Sequence, residues 1–144
     1  MSVSDRLKTM REEKAAANLV AAENFLSENA TKQGVVVLTS GLQYQILVEG
    51  QGDKPALNNM VTCHYHGTLT SGEVFDSSVK RGQPASFPVN GVIKGWIEAL
   101  QLMPVGSKWR LFLHPNLAYG DRQVSAVIGP NCALVFDVEL LSIR

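Results

Sequence analysis

The segment from Val89 to Trp96 constrains the fold more than any other stretch of the chain. It contains Asn90-Gly91, a strong turn signal, because both residues tolerate the positive φ that tight turns require. Directly after it, residues 94–102 predict a short helix, because apolar residues recur there at helical spacing: Trp96, Ile97, Leu100 and, one turn on, Met103. Strand patterns lie on both sides of this helix. We therefore predict a sheet that wraps around it, with Trp96 in the middle.

Five segments have strand patterns, most of them with alternating apolar and polar residues. They fall at about 42–48, 60–69, 74–89 with an interrupting loop at 77–84, 108–113 and 133–143, and a short β-prone run at 35–38 precedes them. In the second segment, Val61, Cys63 and Tyr65 share one face. The chain thus predicts five strands, a short central helix and a helix at the N-terminus.

The N-terminal segment predicts one long helix from Val3 to Gln33, closed by Gly34 as a left-handed cap. Its apolar stripe is thin and consists of Leu7, Met10, Ala17, Val20 or Ala21, and Phe25 with Leu26. The first half has little to pack on within one subunit, so it is either a solvated arm or the surface for a partner helix. We predict an arm over 1–33 and a second domain over 34–144.

Composition excludes several classes of partner. Thirteen basic and thirteen acidic residues cancel, so no bulk field attracts nucleic acid, and no apolar run is long enough to span a membrane. The charged N-terminus lacks a signal-peptide pattern, which predicts a cytoplasmic protein, or a periplasmic one if a leader has been removed. Cys63 and Cys132 have no metal spacing and predict two free thiols.

Sequence motifs exclude several enzyme classes as well. The chain has no nucleophile elbow, phosphate-binding loop, dinucleotide fingerprint or zinc-protease helix. His64 and His66 would share one face of a strand, but no third ligand is evident, so we predict no metal and no cofactor. What remains is an apolar set with a few polar groups, and Phe87 and Phe136 within it are equally compatible with core packing. Asp76 beside aromatic residues needs a partner, either tyrosine hydroxyls or an arginine such as Arg81.

Several motifs carry a resemblance to a known family. They are His64-Tyr65-x-Gly67-x-Leu69-x-x-Gly72-x-x-Phe75-Asp76-Ser77-Ser78, Val92-Ile93-x-Gly95-Trp96, Ala118-Tyr119-Gly120 and Leu134-Val135-Phe136-Asp137-Val138-Glu139-Leu140. Together they resemble an FKBP-type peptidyl-prolyl cis-trans isomerase, in order, over about 42–143. Residues 87–93 and 102–107 resemble the bacterial branch that includes the macrophage infectivity potentiators. Members of that branch also carry a helical, often dimerising, segment before the isomerase domain.

The resemblance implies an α+β fold in which a five-stranded antiparallel sheet wraps around the central helix. It implies a pocket in which the Ile93 N–H holds a substrate carbonyl, Tyr119 donates through its hydroxyl, and Asp76 faces the twisting bond. Its walls would be Tyr65, Phe75, Phe87, Val92, Ile93 and Phe136, above a floor of Trp96. The apolar set that the residues themselves indicate adds Ile128 to this pocket. The implied partners are unfolded or proline-containing polypeptides, rapamycin-like macrolides and a second copy bound through the N-terminal helix.

Two departures from the family pattern leave alternatives open. Residues 121–127 replace a segment that is glycine-rich in many relatives, and Gly129 stands where a proline often follows the isoleucine. Some relatives have another aromatic residue at the position of Ala85. Members of the potentiator branch tend to have alanine there, as this chain does. The alternative to an enzyme is therefore a binding module for proline-containing ligands with little or no catalysis. Intact Tyr65, Asp76 and Tyr119, with Ile93 and Trp96, favour the enzyme, and a dimeric chaperone role would add to either interpretation.

Overall fold

The computed structural model describes residues 2–144. Three α-helices, α1 to α3, span Val3–Asn29, Ser78–Arg81 and Lys94–Leu102. Seven strands, β1 to β7, span Val35–Val37, Gln43–Val48, Met60–Leu69, Val74–Ser77, Ala85–Pro88, Lys108–Leu113 and Leu134–Ile143. Two short 3-10 helices cover Val89–Gly91 and Pro115–Leu117. None of the helices within residues 2–144 combines the length and hydropathy needed to cross a membrane.

The strands form one antiparallel sheet in the order β1-β2-β6-β7-β3-β4, and β5 also pairs with β3. The predicted fold class is confirmed, but the sheet has seven strands rather than five. One added strand is the run at 35–37, which pairs with β2. The other arises because helix α2 divides the predicted strand at 74–89, capped by the Ser77 side chain and ended by Gly82 at φ 75°.

The central helix has the predicted bounds, and the sheet curves around it. Trp96, Ala99, Leu100 and Met103 are buried in the core together with side chains from β3, β6 and β7. Gly95 permits the close approach of α3 to β6, because a Cβ at this position would lie 2.6 Å from Leu113 Cδ2. The period of apolar residues thus predicted the extent of this helix and most of its buried face, although Ala99 rather than Ile97 completes that face.

The Asn90-Gly91 pair differs from the prediction. These residues belong to the 3-10 helix Val89–Gly91, and neither has a positive φ. The predicted tight turn with left-handed residues is therefore wrong. Gly91 is needed for space instead, since a Cβ there would lie 2.8 Å from Cγ of Pro88.

Helix α1 begins with a capping box between Ser2 and Asp5 and ends at Asn29, four residues before the predicted end. The Gln43 side chain contacts the last turn of the helix at two points. Gln43 Nε2 donates to Leu26 O over 2.9 Å, and Asn29 Nδ2 donates to Gln43 Oε1 over 2.8 Å. Gly34 does have the expected left-handed conformation, at φ 85°, but in the turn beyond the helix.

The exposed and buried faces of α1 are only partly as predicted. Residues 2–14 are exposed, as expected for a segment without support from its own subunit. The face that packs on the sheet contains Ala22, Leu26 and Asn29, whereas Val20 is 60% exposed. The predicted stripe was therefore correct only near Phe25 and Leu26, and its other members face solvent.

The second half of α1 contacts the loop that precedes β7. Asn18 Nδ2 donates to Pro130 O over 2.8 Å, and Asn131 Nδ2 donates to Ala15 O over 3.1 Å. Asn131 has a positive φ of 56°, and its backbone N–H donates to Gly120 O. Helix α1 is thus bonded to the base of the loop at 121–131.

Candidate functional site

One cavity of about 560 Å³ opens between the central helix and the concave side of the sheet. Nine of the ten predicted site residues line it: Tyr65, Phe75, Asp76, Phe87, Val92, Ile93, Trp96, Tyr119 and Phe136. They come from β3, β4, β5, β7, α3 and the loops beside α3 and after Pro115–Leu117. The sheet topology therefore assembles residues that are as far as 71 positions apart in sequence.

Trp96 forms the floor of the cavity. Three rings surround its indole with centroid distances of 5.4 Å to Tyr65, 5.5 Å to Phe87 and 5.1 Å to Phe136. The rings of Tyr65 and Phe136 meet it edge to face, an arrangement that the aromatic quadrupole favours. Each wall is fixed by its neighbours, so the apolar surface is preformed and can receive a ligand without collapsing.

Gly67 makes room for two of these walls. A Cβ at this position would lie 2.6 Å from Phe75 Cζ and 2.8 Å from Phe136 Cε1. Those two rings stand edge to face at a centroid distance of 5.4 Å. The absence of a side chain at Gly67 therefore sets how close Phe75 and Phe136 come to the sheet.

Asp76 lies in a network with Tyr65 and Arg81. The Tyr65 hydroxyl donates to Asp76 Oδ2 over 2.7 Å, and Arg81 forms a salt bridge with Asp76 Oδ1. Arg81 Nη2 also donates to the Tyr65 hydroxyl oxygen over 2.9 Å. The network thus contains both kinds of partner that the sequence offered for Asp76.

The network sets the protonation of its members. Burial alone would raise the pKa of Asp76, but the hydrogen bonds from Tyr65 and Arg81 and the charge of Arg81 hold that pKa below its ordinary value of 3.8. The pKa of Tyr65 is raised above 10.0, first by burial and then by its bond to Asp76. Near neutral pH, Asp76 is therefore ionised and Tyr65 keeps its proton.

Two donors point to a role in holding a ligand. The Ile93 N–H, at the N-cap of α3, has no hydrogen-bond partner among residues 2–144. The Tyr119 hydroxyl likewise makes no hydrogen bond to the described part of the chain. Both residues line the cavity, so both donors remain free to bind a carbonyl group there.

Ile128 is the one predicted site residue that does not line the cavity. It is only 5% exposed and belongs to the hydrophobic core. Its backbone carbonyl accepts hydrogen bonds from Val124 and Ser125, which folds the loop back on itself. The apolar character that suggested a pocket residue thus serves core packing at this position.

The cavity is also lined by four residues that the sequence analysis did not assign to it: Gly91, Lys94, Ala118 and Arg122. Lys94 directly follows Ile93, and Arg122 follows the Tyr119-Gly120 pair, so their positions beside two motif residues were the available signal. Within residues 2–144, the Arg122 side chain makes one hydrogen bond, from Nε to Tyr119 O over 3.4 Å.

The two histidines of β3 lie outside this cavity. Nδ1 of His64 shares a hydrogen bond with Ser78 Oγ, and Nδ1 of His66 shares one with Ser77 Oγ, each over 2.9 Å. Within residues 2–144, no three His, Cys, Asp or Glu side chains are placed to hold a metal ion. Cys63 is free and buried, and Cys132 is free and half-buried.

The fold and the cavity together define an isomerase of the FKBP type. The model of the FKBP-type peptidyl-prolyl cis-trans isomerase family matches residues 52–141, and the model of the domain amino-terminal to such isomerases matches residues 1–46. The chain belongs to the FKBP-type peptidyl-prolyl cis-trans isomerases.

Relatives support this assignment over nearly the whole chain. The FKBP-type 22 kDa peptidyl-prolyl cis-trans isomerase of Escherichia coli (strain K12) is 51% identical over 98% of this chain and 68% of its own. The outer membrane protein MIP of Legionella longbeachae is 52% identical over 91% of this chain and 56% of its own. The chain therefore spans between about half and two thirds of the length of such relatives.

Solved structures agree with the fold. FkpA from Escherichia coli superposes with a TM-score of 0.93 at 39% identity, covering 99% of this chain and 66% of that one. The peptidyl-prolyl cis-trans isomerase from Pseudomonas syringae pv. tomato superposes with a TM-score of 0.84 at 38% identity, covering 90% of this chain and 96% of that one.

Proposed function

We propose that the chain catalyses rotation about Xaa-Pro bonds in the cavity above Trp96 and so assists protein folding. The uncatalysed step takes tens to hundreds of seconds and can limit folding. The observation that carries the proposal is the meeting of a preformed aromatic cavity with the paired carboxylate of Asp76 and two unused donors, Ile93 N–H and Tyr119 hydroxyl.

The chemistry that this reaction needs is simple. Rotation must break amide resonance, a barrier of ~18–20 kcal/mol, and requires neither a nucleophile nor a metal. The twisted amide has lost charge separation, so an apolar cavity with little water favours it over the planar ground state. We assign the proline ring to the aromatic walls and the flanking carbonyl groups to Ile93 N–H and Tyr119.

We assign Asp76 an electrostatic role. Both carboxylate oxygens have partners, Tyr65 on one and Arg81 on the other, and its lowered pKa keeps it ionised. A carboxylate held in this way is a poor proton donor near neutral pH, but it is a fixed charge whose position does not change during the reaction. Asp76 then faces the twisting bond while Tyr65 and Arg81 fix its orientation.

A peptide cis/trans assay with and without rapamycin tests the proposal, using the Asp76→Ala variant. We expect turnover that rapamycin inhibits, and a loss of roughly tenfold or more in kcat/KM in the variant. Asp137→Ala is the matched control, because Asp137 also pairs with an arginine, Arg110, but lies outside the cavity. Absence of both turnover and rapamycin binding would overturn the proposal.

The alternative function is an FKBP-fold module that binds proline-containing ligands with weak or no catalysis. The loop at 121–130 favours it, since this loop departs from the family pattern and carries Arg122 at the cavity. Rapamycin binding without peptide turnover would establish this alternative over the enzyme.

We further propose that residues 1–33 form an arm that pairs with a second copy, and that residues 34–144 form the isomerase domain. The arm exposes Leu7 by 53% and Met10 by 63%, and these residues lie on one helix face. Leu7→Glu should shift the chain from dimer to monomer in sedimentation velocity. Ala16→Glu, on the opposite face of the helix, is the matched control. A monomeric parent chain would contradict the proposal.

A dimeric chaperone role would rest on the same arm. Under this proposal, Leu7→Glu slows refolding of a proline-limited protein substrate but leaves turnover of a short peptide unchanged. Equal losses in both assays would assign the effect to the isomerase domain instead.

The compartment is a proposal as well. One relative is named an outer membrane protein, which favours the periplasmic alternative over the cytoplasmic prediction. Fractionation of the source cells with an antibody against residues 34–144 would decide between the two.

A further inference from the structure

The charged residues at the cavity are unequally paired. Asp76 is the only carboxylate among the described residues that line it, and Arg81 neutralises that carboxylate. Lys94 and Arg122 also line the cavity, yet neither takes part in a salt bridge within residues 2–144. Both cations are therefore available to a ligand.

The nearest acidic residues in sequence do not line the cavity. Glu98, one helical turn after Lys94, accepts a hydrogen bond from the Ser40 hydroxyl. Asp121, next to Arg122, lines a separate depression together with Lys8 and Arg11. Neither carboxylate is among the residues that line the cavity.

The local charge at the cavity differs from that of the whole chain. The chain has a formal net charge of zero, whereas the cavity and its network hold three cations against the single carboxylate of Asp76. A cleft with apolar walls and a net charge of one sign raises the local concentration of oppositely charged ligands. The cavity is thus electropositive on a neutral protein.

We propose that Lys94 and Arg122 determine specificity for proline sites flanked by aspartate or glutamate. The proposal rests on the proposed isomerase function and names its substrate class. Lys94 directly follows Ile93, whose N–H is assigned to a substrate carbonyl, and Arg122 lies three residues beyond Tyr119. A peptide backbone held by those two donors has its flanking side chains next to the two cations.

The experiment compares peptides that differ only beside the proline. Acetylated and amidated tetrapeptides carry Glu, Gln or Lys either before or after proline, so that no terminal charge contributes, and NMR exchange spectroscopy gives kcat/KM. For the favoured position we expect Glu to exceed Gln by roughly 3–10-fold at low ionic strength, as two solvent-exposed ion pairs would give. Raising the salt concentration to about 0.5 M should reduce that ratio towards one.

Variants assign the preference to the two cations. The double variant Lys94→Gln with Arg122→Gln should bring the Glu-to-Gln ratio close to one. Lys94→Glu with Arg122→Glu should reverse the preference in favour of the Lys peptide, an outcome that misfolding cannot produce. Lys108→Gln is the matched control, because it removes a cation outside the cavity and should leave the ratio unchanged.

The outcomes separate this inference from the proposed function. If the Gln peptide is turned over but the ratio is one in the parent protein, the inference is overturned and the isomerase stands. If none of the peptides is turned over, both are overturned. A ratio above one that survives in the double variant would also overturn the inference.

Discussion

The Tyr65 hydroxyl and the Asp76 carboxylate lie 2.7 Å apart, on adjacent antiparallel strands and eleven residues apart in sequence. Arg81 bonds both of them from α2. Two partners thus hold Asp76 in one orientation at the cavity wall. Each of the three side chains would lose a partner if either of the others were removed.

The Tyr65→Phe substitution tests this relationship. It removes the donor to Asp76, so the pKa of Asp76 should rise towards its ordinary value and peptide turnover should fall by roughly 3–10-fold. Carboxyl ¹³C NMR titration and kcat/KM measure the two effects. Tyr44→Phe is the control, since Tyr44 stacks on Trp109 at a centroid distance of 4.2 Å and does not line the cavity. An unchanged Asp76 titration would contradict the network.

The same carboxylate predicts a pH dependence of stability. Because the folded-state pKa of Asp76 lies below 3.8, the unfolded chain binds more protons at this site in acid. The stabilisation is complete above the unfolded pKa and is lost as the pH falls through the folded pKa. Denaturant unfolding between about pH 6 and about pH 2 measures it, and Asp76→Asn should flatten part of the decline below about pH 4. Parallel curves for the parent and the variant would refute this assignment.

Gly67→Ala should distort the cavity. The added methyl group would meet the rings of Phe75 and Phe136, which should cost about 1–3 kcal/mol of stability and weaken rapamycin binding. Gly52→Ala supplies the comparison, since its Cβ would lie 2.7 Å from Val105 Cβ, away from the cavity. Calorimetry should find both variants destabilised but only Gly67→Ala impaired in binding. Equal binding by the two would show that Gly67 does not position the walls.

The two cysteines should react with thiol reagents at different rates. Burial raises the pKa of Cys63 to about 12, whereas Cys132 is half-buried in front of β7. Since the thiolate is the reactive form, Cys132 should be modified in the native protein at least about 100-fold faster than Cys63. Titration with an aromatic disulfide, followed by mass spectrometry, assigns the rates. If Cys63 reacted as fast in the native protein as in denaturant, its burial would be contradicted.

Asn18→Ala should loosen the loop that carries Arg122. The variant loses the bond from α1 to Pro130 O, so amides at 121–131 should exchange with deuterium faster while those of α3 keep their protection. Asn24→Ala is the control, because Asn24 lies exposed on the same helix. Unchanged exchange in the loop would mean that α1 does not hold it.

How far the sequence predicts this molecule depends on the range of the interaction. Helix α3 follows from the period of its own apolar residues, and the aromatic walls follow from strand alternation and family motifs. The end of α1 does not, because its last turn packs against Gln43, which lies fourteen residues beyond Asn29 in another element. Asn90-Gly91 predicted a left-handed turn, but glycine is required at position 91 because a Cβ there would clash with the ring of Pro88.

The charged part of the site was harder to predict than the apolar part. A carboxylate beside aromatic residues requires a partner, so the sequence indicated one for Asp76, and Arg81 was among the candidates. Hydrophobic periodicity gives no information about charged residues such as Lys94 and Arg122. Their proximity becomes visible only in the folded cavity. Ile128 is buried in the core beside the cavity, and hydrophobicity alone does not distinguish such a position from a pocket wall, so its contact with a ligand stays a prediction.

The buried amide pair of Asn29 and Gln43 joins the end of α1 to β2. Contacts with the loop at 121–131 and with the sheet hold residues 15–29 of α1, so only the exposed residues 3–14 project freely, over about 18 Å. A load on that projecting half would meet two attachments, the Gln43 amide on β2 and the loop at 121–131 that Asn18 contacts.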